Sequence, residues 1–199
     1  MKILLIGASG TVGSAVDKEL SARHEIIRIG RTRGDFQVDI SDSASIRALF
    51  GKTGKFDALV CAAGNVTFAP LAEMDAQSFA LGLQDKLMGQ VNLLLIGREF
   101  ANDGASFTLT SGVLSHDPIR SGASAALVNG ALDSFVRAAA IELPRGMRVN
   151  SVSPTVLVEA MGSYAPYFRG YKPVAGADVG LAYAKSVEGL QTGQTFHVG

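Results

Sequence analysis

The amino-acid sequence predicts a single α/β domain built on a doubly wound parallel sheet of about seven strands, with helices on both faces. Three observations support this prediction. Short apolar runs alternate with helical patterns along all 199 residues, most of these runs are continuously apolar, and the first run leads directly into a glycine turn and a helix. Continuously apolar strands that alternate with helices are typical of parallel sheets buried on both faces.

The sequence pattern predicts seven strands and five helices along the chain. Seven runs rich in β-branched residues or leucine predict strands at residues 3–6, 25–29, 36–38, 58–61, 106–109, 148–152 and 195–198. Helical patterns lie between them at residues 12–22, 43–50, 76–101, 124–143 and 178–187. Asp42 or Ser43 is a suitable cap for the second helix, and Gly104 stands where the third should stop.

Residues 154–177 interrupt this alternation with a segment rich in proline and aromatic residues. Its proline and aromatic members are Pro154, Pro166, Pro173, Tyr164, Tyr167, Phe168 and Tyr171. An insert near the carboxyl ends of the strands has two interpretations, a substrate lid or a plain surface loop packed on the core.

Composition restricts the function classes. The formal net charge is zero and 47% of residues are hydrophobic, which argues against binding to nucleic acid or to anionic membranes. No apolar run approaches the roughly 18 residues that span a bilayer, and no signal sequence opens the chain, so we expect a soluble, cytoplasmic protein. The single cysteine, Cys61, lies in an apolar run and is expected to be an inert core thiol. The three histidines form no cluster that predicts a metal site.

A glycine turn follows the first apolar run. Gly7, Gly10 and Gly13 are spaced G-x-x-G-x-x-G between a predicted strand and a predicted helix. Glycine lets the backbone approach a ligand closely, and the free N–H groups of a helix N-terminus attract anions. The turn therefore predicts a diphosphate site for a dinucleotide.

The end of the second strand bears on the choice between NAD and NADP. An acidic side chain there binds the ribose 2′-hydroxyl of NAD, whereas a nearby arginine accepts the 2′-phosphate of NADP. The chain has Arg31 there and no carboxylate before Asp35, and Ser9 and Thr32 offer further hydroxyl donors. The sequence therefore favours NADP(H). The alternative is that Arg31 and Arg33 are solvated loop charges.

Three segments resemble the short-chain dehydrogenase/reductase family: residues 2–20, the run Cys61 to Asn65, and residues 138–154, which include Ile-Glu-Leu, Arg-Val-Asn and Ser-Pro. The resemblance covers nearly the whole chain, implies a Rossmann fold, and places Asp39 at the adenine amino group. The glycine spacing looks like that of the family's extended or atypical branches. The cofactor contacts it implies, together with those argued above, are Gly7, Ser9, Gly10, Thr11, Val12, Gly13, Arg31, Thr32, Asp39, Ile40, Ala62, Ala63, Gly64, Asn129, Pro154 and Val156.

The same resemblance implies altered catalytic positions. The family carries a Tyr-x-x-x-Lys pair, in which the tyrosine is the general acid/base; an ungapped alignment places Ala125 and Asn129 at these positions. The family serine corresponds to Ser111. Lys86 stands where the family has an asparagine, and Glu159 stands at a position that is usually threonine.

Two residues offer substitute chemistry. Lys86 has two interpretations, a helix-surface side chain or a cation and acid near the ribose. His116 lies in the loop after Ser111, where it is either a proton donor oriented by Asp117 or a solvated loop residue.

Two functions from different classes remain open. The first is an NADP(H)-dependent oxidoreductase acting on a small carbonyl or alcohol, with Ser111, Lys86 and His116 as candidate catalytic residues. The second is a non-catalytic NADP(H)-binding redox sensor or structural relative; another enzyme class on the same fold is a third reading. Family resemblance also implies a homodimer or homotetramer built on the two long helices.

Overall fold

The computed structural model describes all 199 residues, and a seven-stranded parallel sheet forms its centre. The strands are β1 Lys2–Ile6, β2 Glu25–Gly30, β3 Phe36–Gln37, β4 Phe56–Cys61, β5 Ala101–Thr110, β6 Arg148–Pro154 and β7 Thr195–Val198. The helices are α1 Thr11–Leu20, α2 Ser43–Thr53, α3 Ala76–Leu81, α4 Met88–Gly97, α5 Ala123–Glu142, α6 Met161–Tyr164 and α7 Gly176–Glu188. Short 3₁₀ turns lie at Leu71–Glu73, Val113–Ser115 and Val158–Ala160.

The spatial order of the strands is β3-β2-β1-β4-β5-β6-β7, and every neighbouring pair is parallel. The order reverses between β1 and β4, where the chain crosses from one half of the sheet to the other. Ligands of such sheets bind outside the carboxyl ends of the strands at this switch point. The predicted doubly wound fold is therefore confirmed, and its topology marks where a site should lie.

Side chains of β1 divide the core into two layers. Leu4 and Ile6 belong to a cluster of 22 buried residues on one face, whereas Ile3 and Leu5 belong to a cluster of 13 on the other. Successive residues of a strand point to opposite faces, so a continuously apolar strand contributes to both layers. The sheet is accordingly covered on both faces by helices.

The third predicted helix, residues 76–101, is wrong in two respects. It is divided into α3, a π-helical segment at Gly82–Leu87, and α4, and it ends at Gly97. Ala101 already belongs to β5, because it pairs with Phe56 of β4, and the Arg145 guanidinium binds its carbonyl. Gly104 is therefore not a helix stop but a residue of β5 with φ of +75°.

The other helices begin and end near their predicted bounds. The Asp42 carboxylate accepts a hydrogen bond from the Ala44 N–H, which confirms one of the two caps proposed for α2. None of the helices is both long and apolar enough to cross a lipid bilayer. No group of three or more His, Cys, Asp or Glu side chains is arranged to hold a metal ion.

Residues 154–177 contain more regular structure than the sequence indicated. They include a 3₁₀ turn, the short helix α6, and a bridge between Leu157 and Val174. The Tyr171 hydroxyl donates a 2.9 Å hydrogen bond to the Asp117 carbonyl in the loop after β5. The segment is therefore tied to the carboxyl-end loops of the sheet.

Candidate functional site

The glycine turn after β1 has the close packing that its spacing predicted. Gly7 has φ of +85°, and a Cβ at Gly13 would lie 2.0 Å from the Gly7 carbonyl oxygen. Gly10 has an ordinary extended conformation, and a Cβ there would meet only that same oxygen, at 3.4 Å. Packing therefore requires glycine at positions 7 and 13 but not at position 10, which lines a cavity.

Helix α1 begins directly beyond this turn. Gly10 is its N-cap residue, and no side chain caps the helix. The first N–H groups of an uncapped helix carry partial positive charge and need an acceptor. The turn and the helix together therefore fit a bound diphosphate.

A small pocket of about 80 Å³ lies beside the turn, between the carboxyl ends of β1, β2 and β4. Its lining residues are Ile6, Gly7, Gly30, Arg31, Val38, Asp39, Ile40, Ala63, Gly64, Asn65 and Asp85. The Asn65 side-chain amide donates a 2.8 Å hydrogen bond to the Asp85 carboxylate, which closes one wall. The predicted contacts Arg31, Asp39 and Ile40 are thus brought together with the glycine turn.

The loop after β2 excludes an acidic side chain from the strand end. A Cβ at Gly30 would lie 2.4 Å from the Arg33 carbonyl oxygen, so even alanine would displace the loop. The first carboxylate after the strand, Asp35, accepts a 2.8 Å hydrogen bond from the Arg28 N–H and does not line the pocket. Arg31 is consequently the only charged residue that the loop places in the pocket.

Arg31 is paired with Asp39 across the mouth of the small pocket. The guanidinium donates a 2.8 Å hydrogen bond to the carboxylate, and the Arg31 side chain is 68% exposed. Hydrogen bonds from Ser41, followed by the charge of Arg31, hold the pKa of Asp39 below its usual value. An exposed pair of this kind contributes only about 0–1 kcal/mol, so the guanidinium is readily available to an anionic ligand.

A larger cavity of about 490 Å³ continues from the turn along the carboxyl ends of β4, β5 and β6. Most of its wall is apolar, and Lys86 is its one charged residue. The lining comprises Gly10, Thr11, Val12, Ala62, Ala63, Gly64, Val66, Phe68, Lys86, Thr110, Ser111, Gly112, Val113, Leu114, Ala125, Asn129, Pro154, Thr155, Val156, Leu157, Ala160, Tyr164 and Phe168.

Lys86 reaches this cavity from the π-helical segment. Its Nζ donates hydrogen bonds to the Ser111 carbonyl at 3.0 Å and to the Asn129 side-chain oxygen at 2.7 Å. The backbone at Gly64 packs against the Lys86 side chain, because a Cβ at Gly64 would lie 2.7 Å from Lys86 Cγ. Burial lowers the pKa of the Lys86 ammonium to about 8. Of its two interpretations from the sequence, the geometry favours the cation inside the site.

Ser111 and Ala125 face the same cavity. The Ser111 hydroxyl is buried and has no hydrogen-bond partner, and the same is true of the Thr155 hydroxyl. A buried polar atom without a partner is rare and marks a place where a ligand atom can bind. Ala125, which is 3% exposed, contributes only a methyl group to the wall of this cavity.

Four other predicted residues lie outside both pockets. His116 is exposed, and its ring stacks edge-on against His197 at 4.7 Å, away from the cavity. Ser9 and Thr32 are exposed, and neither lines a pocket, nor does Gly13, which packs behind the turn. The hydroxyl donors proposed at Ser9 and Thr32 and the proton donor proposed at His116 therefore remain sequence-based predictions.

Two further residues discussed from the sequence, Glu159 and Cys61, are held within the fold. The Glu159 carboxylate accepts a 2.9 Å hydrogen bond from the Gly176 N–H at the start of α7. Cys61 is fully buried, and burial raises the pKa of its thiol to about 12. Neither residue offers reactive chemistry to the cavity.

The sequence predicted the aromatic side of the cavity only in part. Phe68, Tyr164 and Phe168 line it together with Leu114 and Leu157. The aromatic composition of residues 154–177 was the available signal, although Phe68 lies outside that segment. This wall supports the lid interpretation, because the segment covers the same cavity that contains Ser111 and Lys86.

One protein-family model and one solved structure match most or all of this chain. A family model described as enoyl-(acyl carrier protein) reductase matches residues 9–186. The protein lin1944 from Listeria innocua is 50% identical in sequence to this chain. Its crystal structure superposes with a TM-score of 0.99 over 100% of both chains.

Two more distant proteins are similar over most of the chain. Carbonyl reductase [NADPH] 2 of Sus scrofa is 26% identical over 180 residues, which cover 81% of this chain and 74% of that protein. A crystal structure of a small-chain dehydrogenase in complex with NADPH is 24% identical, with a TM-score of 0.87 over 100% of this chain and 96% of the other. The second likeness establishes a shared fold.

Proposed function

The chain belongs to the short-chain dehydrogenase/reductase family, and we propose that it is an NADP(H)-dependent oxidoreductase interconverting a small carbonyl compound and its alcohol. One observation carries the proposal. Gly10, Thr11 and Val12 at the start of α1 line the same cavity as Ser111 and Lys86. A dinucleotide that binds its diphosphate at the glycine turn would therefore extend into a cavity that already holds a free hydroxyl and a cation.

The residues present fit NADP(H) better than NAD(H). Arg31 supplies a guanidinium at the small pocket, and the crowded backbone at Gly30 keeps a carboxylate away from it. A guanidinium binds phosphate with two donors, whereas an acidic residue would repel it. The two relatives named with NADPH, the porcine reductase and the dehydrogenase complex, support the same choice.

Side chains of the larger cavity would bind the substrate and the nicotinamide end of the cofactor. Bound NADPH would supply the hydride. The Ser111 hydroxyl would donate a hydrogen bond to the substrate oxygen, and Lys86 would place positive charge beside it, stabilising the negative charge that develops there. Asn129 would bind the nicotinamide ribose. The apolar wall formed by Phe68, Leu114 and Phe168 would exclude water and select a neutral, largely apolar substrate.

A specific observation favours a second candidate, a non-catalytic NADP(H)-binding sensor. Ala125 and Asn129 stand where the family resemblance places the catalytic tyrosine and lysine. A positioned general acid contributes about 10²–10⁴-fold to the rate, and alanine contributes none of this. Under the leading proposal we accordingly expect slow turnover of ordinary aldehydes and ketones despite firm NADPH binding.

We further propose a homodimer or homotetramer built on α4 and α5. Leu95 on α4 and Leu127 and Ile141 on α5 are exposed to solvent in the isolated chain. Large apolar side chains exposed on these two helices support a surface that is covered in an assembly.

The proposed function is tested by titrating the protein with NADPH and NADH while following cofactor fluorescence, and then adding a panel of simple aldehydes and ketones. We expect NADPH to bind at least tenfold tighter than NADH and to be oxidised slowly. Binding of NADPH with no oxidation over many hours would favour the sensor. Failure to bind either nucleotide would contradict both candidates.

A further inference from the structure

We propose that the Lys86 ammonium is the proton donor of this site and that Asn129 is its positioning residue. The inference rests on the proposed function, because it assigns the proton in the reduction argued above. It goes further in naming a single donor, which comes from the π-helical segment and not from α5.

The geometry around Lys86 leaves one donor for the cavity. A lysine ammonium has three N–H donors. Two are used, by the Ser111 carbonyl at 3.0 Å and by the Asn129 side-chain oxygen at 2.7 Å. Asn129 is itself anchored, because its amide donates to the Gly112 carbonyl at 3.4 Å. The third N–H has no acceptor in the protein, and Lys86 lines the cavity together with Ser111, whose hydroxyl has no partner either.

The other groups that line the cavity are poorer proton donors. Ser111 and Thr155 offer hydroxyls that donate hydrogen bonds but do not ionise near neutral pH. The Tyr164 hydroxyl makes no hydrogen bond that would fix it, and the residue is 42% exposed. Lys86 is the one ionisable group that is both held by two hydrogen bonds and adjacent to Ser111. Tyr164 becomes the alternative that the experiment must distinguish.

The electrostatic surroundings suit an amine that gives up a proton near neutral pH. Burial lowers the pKa of Lys86 to about 8, while Cys61 of β4 and Asp133 of α5 act in the opposite direction. Asp85, on the same segment, faces Asn65 and not the amine. A general acid works best when its pKa is near the working pH, because it is then both protonated and ready to release the proton.

The proposed step transfers a hydride and a proton to the substrate carbonyl group. In the reducing direction the carbonyl carbon accepts a hydride, for which NADPH is the reductant. The carbonyl oxygen takes a proton from Lys86 Nζ, so that an N–H bond breaks and an O–H bond forms. The neutral amine then regains a proton from water before the next turnover.

The test measures the Lys86 pKa directly by NMR of protein labelled with ¹³C,¹⁵N-lysine, with the signal assigned from its loss in Lys86→Met. We expect a pKa of about 8. Asn129→Asp places a carboxylate against the amine and should raise this pKa by roughly one unit or more, because an opposite charge favours the protonated form. An unchanged pKa in Asn129→Asp would show that the side chain at position 129 does not contact the amine, and would overturn the positioning role. Titration of Lys86 above about 10 would overturn the proposal.

The kinetic arm uses NADPH and 4-nitrobenzaldehyde over a range of pH. The donor must be protonated, so kcat should fall as the pH rises through the Lys86 pKa. Lys86→Arg keeps the charge but does not release a proton in this range, so we expect NADPH binding within about tenfold of wild type and a rate lowered about 10²–10⁴-fold. A rate retained in Lys86→Arg would overturn the proposal.

Matched variants separate the remaining outcomes. Lys52→Met removes an exposed lysine of α2 and should change neither the pH profile nor the rate. Tyr164→Phe should leave the alkaline fall of kcat in place; its disappearance there would transfer the donor role to Tyr164. If wild type binds NADPH but reduces nothing, the donor assignment fails while the cofactor site stands. If NADPH does not bind, the proposed function itself fails.

Discussion

The Lys86 ammonium donates a 2.7 Å hydrogen bond to the side-chain oxygen of Asn129, a residue 43 positions later in the chain. This contact joins the π-helical segment to α5 inside a cavity that is otherwise free of charge. Gly64, with φ of +137°, leaves room for the lysine stem, since a Cβ there would lie within 2.8 Å of Lys86 Cα. The larger cavity therefore has one cation, which the π-helical segment brings into contact with α5.

This contact determines how the family's Tyr-x-x-x-Lys pair can be rebuilt. Ala125→Tyr with Asn129→Lys restores the pair in sequence, but it brings a second ammonium against Lys86. Like charges at this distance destabilise each other. We predict that the triple variant with Lys86→Asn as well will reduce simple aldehydes at least tenfold faster than that double variant. Comparing steady-state rates of the two variants checks this prediction, and equal rates would contradict it.

Cofactor preference should depend on Arg31. We predict that Arg31→Ala will weaken NADPH binding about tenfold or more, a loss of about 1.4 kcal/mol or more, and leave NADH affinity nearly unchanged. Arg33→Ala is the matched control, because Arg33 is also exposed but does not line the small pocket. Fluorescence titrations with both nucleotides measure the effect. Equal affinities of the wild type for NADPH and NADH would show that Arg31 does not select the cofactor.

The glycines of the turn should divide into ligand and packing roles. Gly10→Val should abolish NADPH binding and leave the protein folded, since the first added carbon meets only the Gly7 oxygen, at 3.4 Å. Gly13→Ala would place its Cβ 2.0 Å from the same oxygen and should destabilise the fold by about 1–3 kcal/mol. Thermal unfolding and NADPH titration of both variants separate the two effects. Retained binding in Gly10→Val would place the nucleotide elsewhere.

Ser111 should act on the substrate and not on the fold. Its hydroxyl has no partner in the protein, so Ser111→Ala breaks no internal hydrogen bond. We predict a fall in kcat of about 10²-fold or more, as expected for the loss of a hydrogen bond made in the transition state. The melting temperature and NADPH affinity serve as controls. A rate equal to wild type would refute the assignment of this cavity as the reacting site.

The local signals in the sequence predicted most of the fold. Continuous apolar runs and the glycine turn depend on neighbouring residues, and the last strand, Thr195–Val198, has the bounds expected from its run. The predicted end of the third helix was wrong because tertiary contacts determine where this helix stops. Ala101 is drawn into the sheet by Phe56, a residue 45 positions earlier, and no local pattern reports this pairing.

Residues of the candidate site that lie next to strand ends could be predicted from the sequence, and those placed by tertiary packing could not. Gly7 and Arg31 follow β1 and β2 directly, so their position at the carboxyl edge could be predicted from the sequence, whereas Asp39 was placed by the family resemblance. Lys86 could not be placed, because a π-helical segment changes the phase of side chains relative to an α-helix, and counting at the α-helical period fails there. Tyr164 and Phe68 reach the cavity through loop packing that depends on the completed fold.

A crystal structure of the protein with NADPH bound tests whether one nucleotide joins the glycine turn to the larger cavity. We expect the diphosphate on the turn between Gly7 and Gly13, the 2′-phosphate against Arg31, and the nicotinamide beside Ser111 and Lys86. A nucleotide bound away from the glycine turn, or a nicotinamide that does not reach the cavity of Ser111 and Lys86, would contradict it.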